Sequence, residues 1–287
     1  MLTYTQAILI GALQGFTELF PISSLGHTVL LPSILGWNID QHAPFFVVFL
    51  VATHLATALV LLAFYFTDWL KIAQGFLRSL LQKGIASDDV YAKLAWLLII
   101  GTIPAGILGL TFQKPLESLF ASPHIVAVFL LGNGILMFTI ERRFRHRRSM
   151  EVRHGRIDAS IARLSFTGAI TAGAMQALAL FPGFSRTGAS IAGGLIAGLE
   201  HQSAARFSFL LATPIILAAA VLKLPVLFTD TASYPVAEII VGALASGLAA
   251  IFSIVFLTKY FKTQTMTPFA IYCMLAGAGS LIFFIVG

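Results

Sequence analysis

Residues 11–28 read GALQGFTELFPISSLGHT, and residues 173–190 read GAMQALALFPGFSRTGAS. Gly11-Ala12-Leu13-Gln14 lies over Gly173-Ala174-Met175-Gln176 at an offset of 162, and Ser23, Gly26 and Thr28 lie over Ser185, Gly188 and Ser190 at the same offset. Phe20-Pro21 matches Phe181-Pro182 with a slip of one residue. Each copy is an apolar stretch stopped by Phe-Pro that resumes in small and hydroxyl residues. Inside a bilayer, broken backbone is tolerated only where it is buried in protein or lines a cavity. The doubled segment therefore points to a membrane protein whose site is built at two broken helices.

Composition agrees. The 287-residue chain is 58% hydrophobic and 10% charged, with mean hydropathy +0.91, too little charge for the surface of a soluble domain. It reads as a single membrane domain, with repeat 1 over about 5–140, a basic cytoplasmic loop at 141–163 and repeat 2 over about 164–287. The N-terminal stretch MLTYTQAILIGALQ lacks a basic leader region and is not expected to be a cleaved signal. Cys273 stands alone in an apolar run and reads as packing, which leaves no disulfide or cysteine-ligated metal.

Six segments are long enough to cross: roughly 43–66, 93–112, 124–140, 207–228, 235–258 and 268–286. A crossing takes about 20 apolar residues. Four shorter pieces, about 5–20, 26–36, 165–181 and 187–199, are too short or too polar and read as two re-entrant helical hairpins. If 43–66 ends inside, the cytoplasmic loops 67–93, 141–163, 200–206 and 259–267 hold four, eight, one and two Lys/Arg, against Lys114 and Lys223 outside. That bias satisfies the positive-inside rule. The basic run ERRFRHRRSMEVRHGR (141–156) reads as an anchor near anionic headgroups, with no nucleic-acid partner, and 67–83 as an amphipathic interfacial helix. FLVAT (49–53) recurs as FLLAT (209–213), so each half is a hairpin followed by three crossings. An odd number of crossings makes this an all-α polytopic fold with an inverted-topology repeat.

Charges at bilayer depth are costly unless paired or hydrated, so Glu18, His27 and Arg186 are the functional candidates. Gln14 and Glu18 are four apart on one helix face. Together they could hold a divalent cation, Mg²⁺ or Ca²⁺, through oxygen ligands that also bridge phosphates. Ser23, Ser24 and His27 follow the Pro21 break, and either Ser24 with His27 as base or His27 itself could be the nucleophile. In the second copy, Pro182 and Gly183 allow a sharp turn into a helix opened by Ser185, Arg186 and Thr187, with Ser190 one turn on. First-turn N–H groups, hydroxyls and a guanidinium suit phosphate oxygens. A Glu18–Arg186 ion pair that merely holds the hairpins together is the structural alternative. Phosphoryl transfer needs a nucleophile, a proton shuttle and charge neutralisation, and the two halves supply them jointly.

At these residues the chain resembles the bacterial undecaprenyl-diphosphate phosphatases associated with bacitracin resistance. The pieces that carry the likeness are QGFTELFPISSLGH (14–27), PGFSRTGASIAGG (182–194), FSFLLATP (207–214) and TPFAIY (267–272). The resemblance implies an enzyme of the bacterial cytoplasmic membrane that removes the terminal phosphate of a polyprenyl diphosphate lipid and recycles the carrier for peptidoglycan synthesis. It implies a site open to the outer face. By the same likeness Gln14 and Glu18 form the first motif, Ser23, Ser24 and His27 the second, and Ser185, Arg186 and Thr187 the third.

Some positions depart from that pattern. Gln14 stands where Glu is common, which weakens any metal site. Leu25 stands where Thr or Ser is common, and Ser190 where Thr is common. His54, in FLVATHLAT, is read as a hydrogen bond between helices, with contact to substrate as the alternative. His42, His124, His146, His154 and His201 read as loop or interfacial residues, and Glu200 and Glu238 as helix-end residues. A transporter or flippase for a polyprenyl phosphate is the competing function, because inverted repeats with broken helices are transporter architecture. A homodimer is compatible with the sequence.

Overall fold

The structure is a computed structural model that describes residues 2–41, 43–117, 122–144, 157–229 and 234–286. His42, His146, His154 and most of the basic run 141–156 lie outside the described residues. Among those described, the chain is helical: α1 (Tyr4–Leu19), α2 (Ser24–Ile34), α3 (Pro44–Phe64), α4 (Phe66–Leu81), α5 (Val90–Glu117), α6 (Pro123–Phe144) and α7 (Ile157–Ala162) form the first part. Then come α8 (Phe166–Gln176) with a 3-10 turn at Ala177–Leu180, α9 (Arg186–Ile196), α10 (His201–Lys223), α11 (Val226–Thr229), α12 (Val236–Tyr260) and α13 (Thr267–Val286).

Six of these helices are long and apolar enough to span a bilayer: α3, α5, α6, α10, α12 and α13. They match the six expected spans, and the protein is an all-α, multi-pass membrane protein. Its outer surface is apolar, with Leu110, Leu244, Leu248 and Leu275 exposed, as lipid contact requires and water would not tolerate. The helix α10 begins at His201 and ends at Lys223 instead of running from 207 to 228. Its polar start is paired inside the protein, so the helix continues through it: His201 Nε2 meets Glu141 at 2.8 Å, and Arg206 meets Asp158 at 2.8 Å and Asp68 at 3.1 Å. Pro225 follows its end, where a missing N–H and a rigid φ stop a helix. His201, expected at an interface, is buried for this reason. Glu200 is the residue that precedes α10, and Glu238 lies in the first turn of α12.

The two broken segments are built alike. Thr3 and Gln6 close a capping box at the start of α1, and Ser165 accepts the Gly168 N–H at the start of α8. Phe20 and Phe181, next to the prolines, are extended, because an α conformation before proline clashes with its ring. The chain then re-enters a helix on a serine cap: Ser23 accepts the Gly26 N–H at 3.1 Å, and Ser185 accepts the Gly188 N–H at 3.1 Å.

Packing repeats as well. A Cβ placed on Gly11 of α1 would lie 2.1 Å from the carbonyl oxygen of Gly242 on α12. One placed on Gly173 of α8 would lie 2.0 Å from that of Gly101 on α5. In each half the first short helix therefore lies backbone to backbone on a long one. Such contact is how helices associate where lipid offers no hydrophobic driving force.

Candidate active site

Proline breaks α1 just after Glu18, and the serine cap starts α2 at Ser24, so carboxylate and hydroxyl face each other across the turn. Ser24 Oγ donates a hydrogen bond to Glu18 Oε2. From the other half, Arg186 at the first position of α9 donates through Nη2 to Glu18 Oε1, and through Nη1 to the Ala212 carbonyl oxygen at 3.0 Å. The expected Glu18–Arg186 contact thus forms, on the wall of a cavity and not merely between two packed faces.

This cavity is about 280 Å³, and its polar wall is Glu18, Ser23, Ser24, His54, Ser185 and Arg186. Leu50, Phe184 and Ile216 contribute to the apolar remainder. Such a space suits a phosphate group with a short length of apolar chain. Glu18 itself is nearly inaccessible, with 4% of its side chain exposed, against 14% for Arg186 and 24% for His54.

His54 makes the bond between helices expected of it and also lines the cavity, the place expected of His27. The His54 ring, on α3, sits 3.0 Å from Glu18 Oε2 through Nε2 and 2.6 Å from the Leu50 carbonyl oxygen through Nδ1. His27 does not line the cavity. Its Nδ1 lies 2.6 Å from the Ser23 carbonyl oxygen, its Nε2 lies 2.6 Å from the Tyr272 hydroxyl, and its ring stacks on Tyr272 of α13. The i, i+3 and i+4 spacing that groups His27 with Ser23 and Ser24 says nothing about which way the ring turns.

The other phosphate-binding candidates divide. Ser23 and Ser185 line the cavity, whereas Gly183, Thr187 and Ser190 do not. Thr187 donates to the Glu18 carbonyl oxygen at 3.0 Å, and Ser190 donates back to the Arg186 carbonyl oxygen at 2.8 Å. Gly183 has φ +111°, and a Cβ there would meet the Val126 carbonyl oxygen at 2.4 Å. Only glycine fits a left-handed backbone pressed on another helix. These three hold the turn in place.

The Gln14–Glu18 pair does not fit a divalent cation. Glu18 Oε2 accepts from Ser24, from Gln14 Nε2 at 3.2 Å and from His54, and Oε1 accepts from Arg186. Gln14 turns its amide nitrogen to the carboxylate because a carboxylate needs a donor. Its oxygen faces away, to the Ser246 hydroxyl at 2.6 Å. Mg²⁺ or Ca²⁺ would need about six oxygen ligands, and here one carboxylate is already shared among Ser24, Gln14, His54 and the Arg186 guanidinium.

Sequence reasoning missed Asn133. Buried on α6, it donates to the Pro21 carbonyl oxygen at 3.3 Å and accepts from the Ser185 backbone N–H, so one side chain ties both broken turns together. The signal available was an asparagine in the middle of an expected span. Cys273 is buried beside it, as packing.

Known proteins align with this chain along nearly its whole length. It is 42% identical to an undecaprenyl-diphosphatase of Mycolicibacterium paratuberculosis, over 98% of this chain and 97% of that one. It is 44% identical to undecaprenyl-diphosphatase 2 of Chromobacterium violaceum, over 97% and 98%. With an undecaprenyl-diphosphatase of Acidiphilium cryptum the identity is 40%, over 96% of each. The family model of bacitracin resistance protein BacA matches residues 7–279, which include every residue lining the cavity. The chain belongs to the bacitracin resistance protein BacA family.

Proposed function

We propose that this chain is an integral-membrane phosphatase that hydrolyses undecaprenyl diphosphate to the monophosphate and inorganic phosphate. That activity returns the lipid carrier to cell-wall synthesis and confers resistance to bacitracin. The relatives' names supply the substrate. One observation carries the chemistry: a serine hydroxyl and an arginine from opposite halves meet on the two oxygens of one buried carboxylate, at a cavity wall.

In this reading Ser24 Oγ attacks the terminal phosphorus and Glu18 takes its proton. Arg186 turns from Glu18 to the phosphate oxygens, with Ser185 and the start of α9 beside it. The bond from phosphorus to the bridging oxygen breaks, and its electron pair leaves with the lipid monophosphate. Water then attacks the phosphorus of the phosphoserine, the phosphorus–Ser24 Oγ bond breaks, inorganic phosphate leaves with the water's protons, and Ser24 Oγ takes back its proton from Glu18. No step is assigned to a divalent cation.

The pairs α1–α2 and α8–α9 serve as re-entrant hairpins that enter from opposite faces of the bacterial cytoplasmic membrane, and the cavity opens outward. Three crossings between the copies and the basic cytoplasmic loops support that orientation. The test is phosphate release from a polyprenyl diphosphate by the purified chain in detergent. Wild type should turn over, and Ser24→Ala and Arg186→Ala should each lose about 10²-fold or more, the cost of a missing nucleophile or oxyanion donor. A wild-type protein that is folded but releases no phosphate overturns the reading.

A further inference from the structure

A diphosphate brings several negative charges into a small cavity, and phosphoryl-transfer sites commonly answer them with a divalent cation. Here the carboxylate that could hold one is occupied, as described above, and its occupants include His54. Both ring nitrogens of His54 face groups that only accept: the Leu50 carbonyl oxygen at 2.6 Å and Glu18 Oε2 at 3.0 Å. With Arg186 on the same carboxylate to keep it ionised, both nitrogens are placed to donate, and a ring that donates from both is an imidazolium. The charged groups facing it are Glu18 from α1 and Arg186 from α9. Around them α2 presents Ser24, α10 presents Ile215 and Ile216, and α12 presents the Ser246 hydroxyl. The unit Arg186–Glu18–His54 thus bears one net positive charge, and His54 lines the cavity while His27 does not.

We infer that His54 is a catalytic residue whose imidazolium, with Arg186, neutralises the phosphate oxygens in the place a divalent cation would take, so that this protein hydrolyses its substrate without one. The inference rests on the phosphatase reading. When a terminal phosphate enters, its oxygens replace Glu18 as acceptors for His54 Nε2–H and Arg186. Glu18, released from two of its donors, becomes free to accept the Ser24 proton. Bond making and breaking follow as above: the Ser24 Oγ–phosphorus bond forms, the bond to the bridging oxygen breaks, and the electron pair leaves with the lipid monophosphate. His54 contributes charge and a hydrogen bond throughout, and keeps its proton.

The experiment uses the purified full chain in detergent with a polyprenyl diphosphate, assayed as isolated, after EDTA, and with Mg²⁺ or Ca²⁺ returned, with bound metal measured by mass spectrometry. EDTA should leave wild-type turnover within twofold, with no stoichiometric metal in the protein. His54→Gln should lose about 10²-fold in kcat with KM little changed, the pattern of a group that acts mainly in the transition state. His54→Ala should recover part of that loss in added imidazole, which a packing role would not permit. His27→Gln should lose less than His54→Gln. If His54→Gln does not fold, His54→Asn replaces it, and the EDTA arm on wild type stands by itself. Wild-type turnover that vanishes in EDTA and returns with Mg²⁺ or Ca²⁺ overturns the inference while leaving the phosphatase reading intact. So does a His54→Gln enzyme within threefold of wild type. No turnover under any condition removes the phosphatase reading, and this inference with it.

Discussion

The side-chain oxygen of Asn133 accepts the backbone N–H of Ser185 at 3.1 Å. The same amide donates to the Pro21 carbonyl oxygen, so a residue of α6 fixes the distance between the turns that carry Ser24 and Arg186. Asn133→Leu would strand both backbone groups in a dry interior, at about 1–3 kcal/mol for each unsatisfied group. Thermal unfolding in detergent should show a clear drop in Tm, with lower kcat in the protein that remains folded. An unchanged Tm would refute the bridging role.

Arg186→Lys tests geometry apart from charge. The guanidinium reaches Glu18 and the Ala212 carbonyl oxygen with different nitrogens, and one ammonium cannot span both. We expect a folded protein with kcat/KM lower by about 10-fold or more, equivalent to at least one charge-assisted hydrogen bond. Wild-type kinetics from the lysine variant would mean that charge alone suffices.

Gly11→Ala and Gly173→Ala each put a methyl group into a neighbouring backbone, whereas Gly279 has nothing within 4 Å. The first two should each cost about 1–3 kcal/mol of stability through overpacking and so lower Tm well beyond Gly279→Ala. Gly11→Ala should also cost activity, since Glu18 lies two turns further along the same helix. Equal Tm values across the three would contradict the close approach.

Ahead of α5 the Asp89 carboxylate takes a forked hydrogen bond from Arg78, at 2.9 and 3.0 Å, and accepts the Ala92 N–H at 3.0 Å. The Arg78 hydrogen bond leads in holding its carboxyl below the usual carboxylate range. A lowered folded-state value adds stability above the unfolded value, and that stability is lost as pH falls through the folded one. Asp89→Ala should therefore destabilise at pH 7 by about 1 kcal/mol through the lost cap. The gap from wild type should narrow below about pH 4, where the unfolded carboxyl is protonated. Equal stability of the two proteins at pH 7 would exclude the cap.

The spans and both breaks were legible because they depend on local chemistry: lengths of apolar chain, a proline that forbids the preceding α conformation, a serine three residues before a glycine. Glu18 and Arg186 were legible because charge inside a membrane needs a reason. What remained hidden was register between helices. His54 and Glu18 lie on different helices, and nothing in FLVATHLAT tells which face of α3 meets α1. The His27 ring turns to Tyr272, and the Thr187 and Ser190 hydroxyls are taken by nearby carbonyls, through contacts set only once the helices are packed. The buried Glu141–His201 pair escaped notice for the same reason.

The glycine seam that appears once in each half has a further meaning. At the positions of Gln14 and Glu18, the second half carries Gln176 and Leu180. Gln176 is buried, and its side-chain amide has no hydrogen-bond partner among the described residues. The molecule thus contains its own blank: the same helix laid on the same kind of neighbour, with the carboxylate replaced by a hydrocarbon. Architecture and chemistry are separable here, and the scaffold that holds Glu18 does not depend on Glu18 to exist.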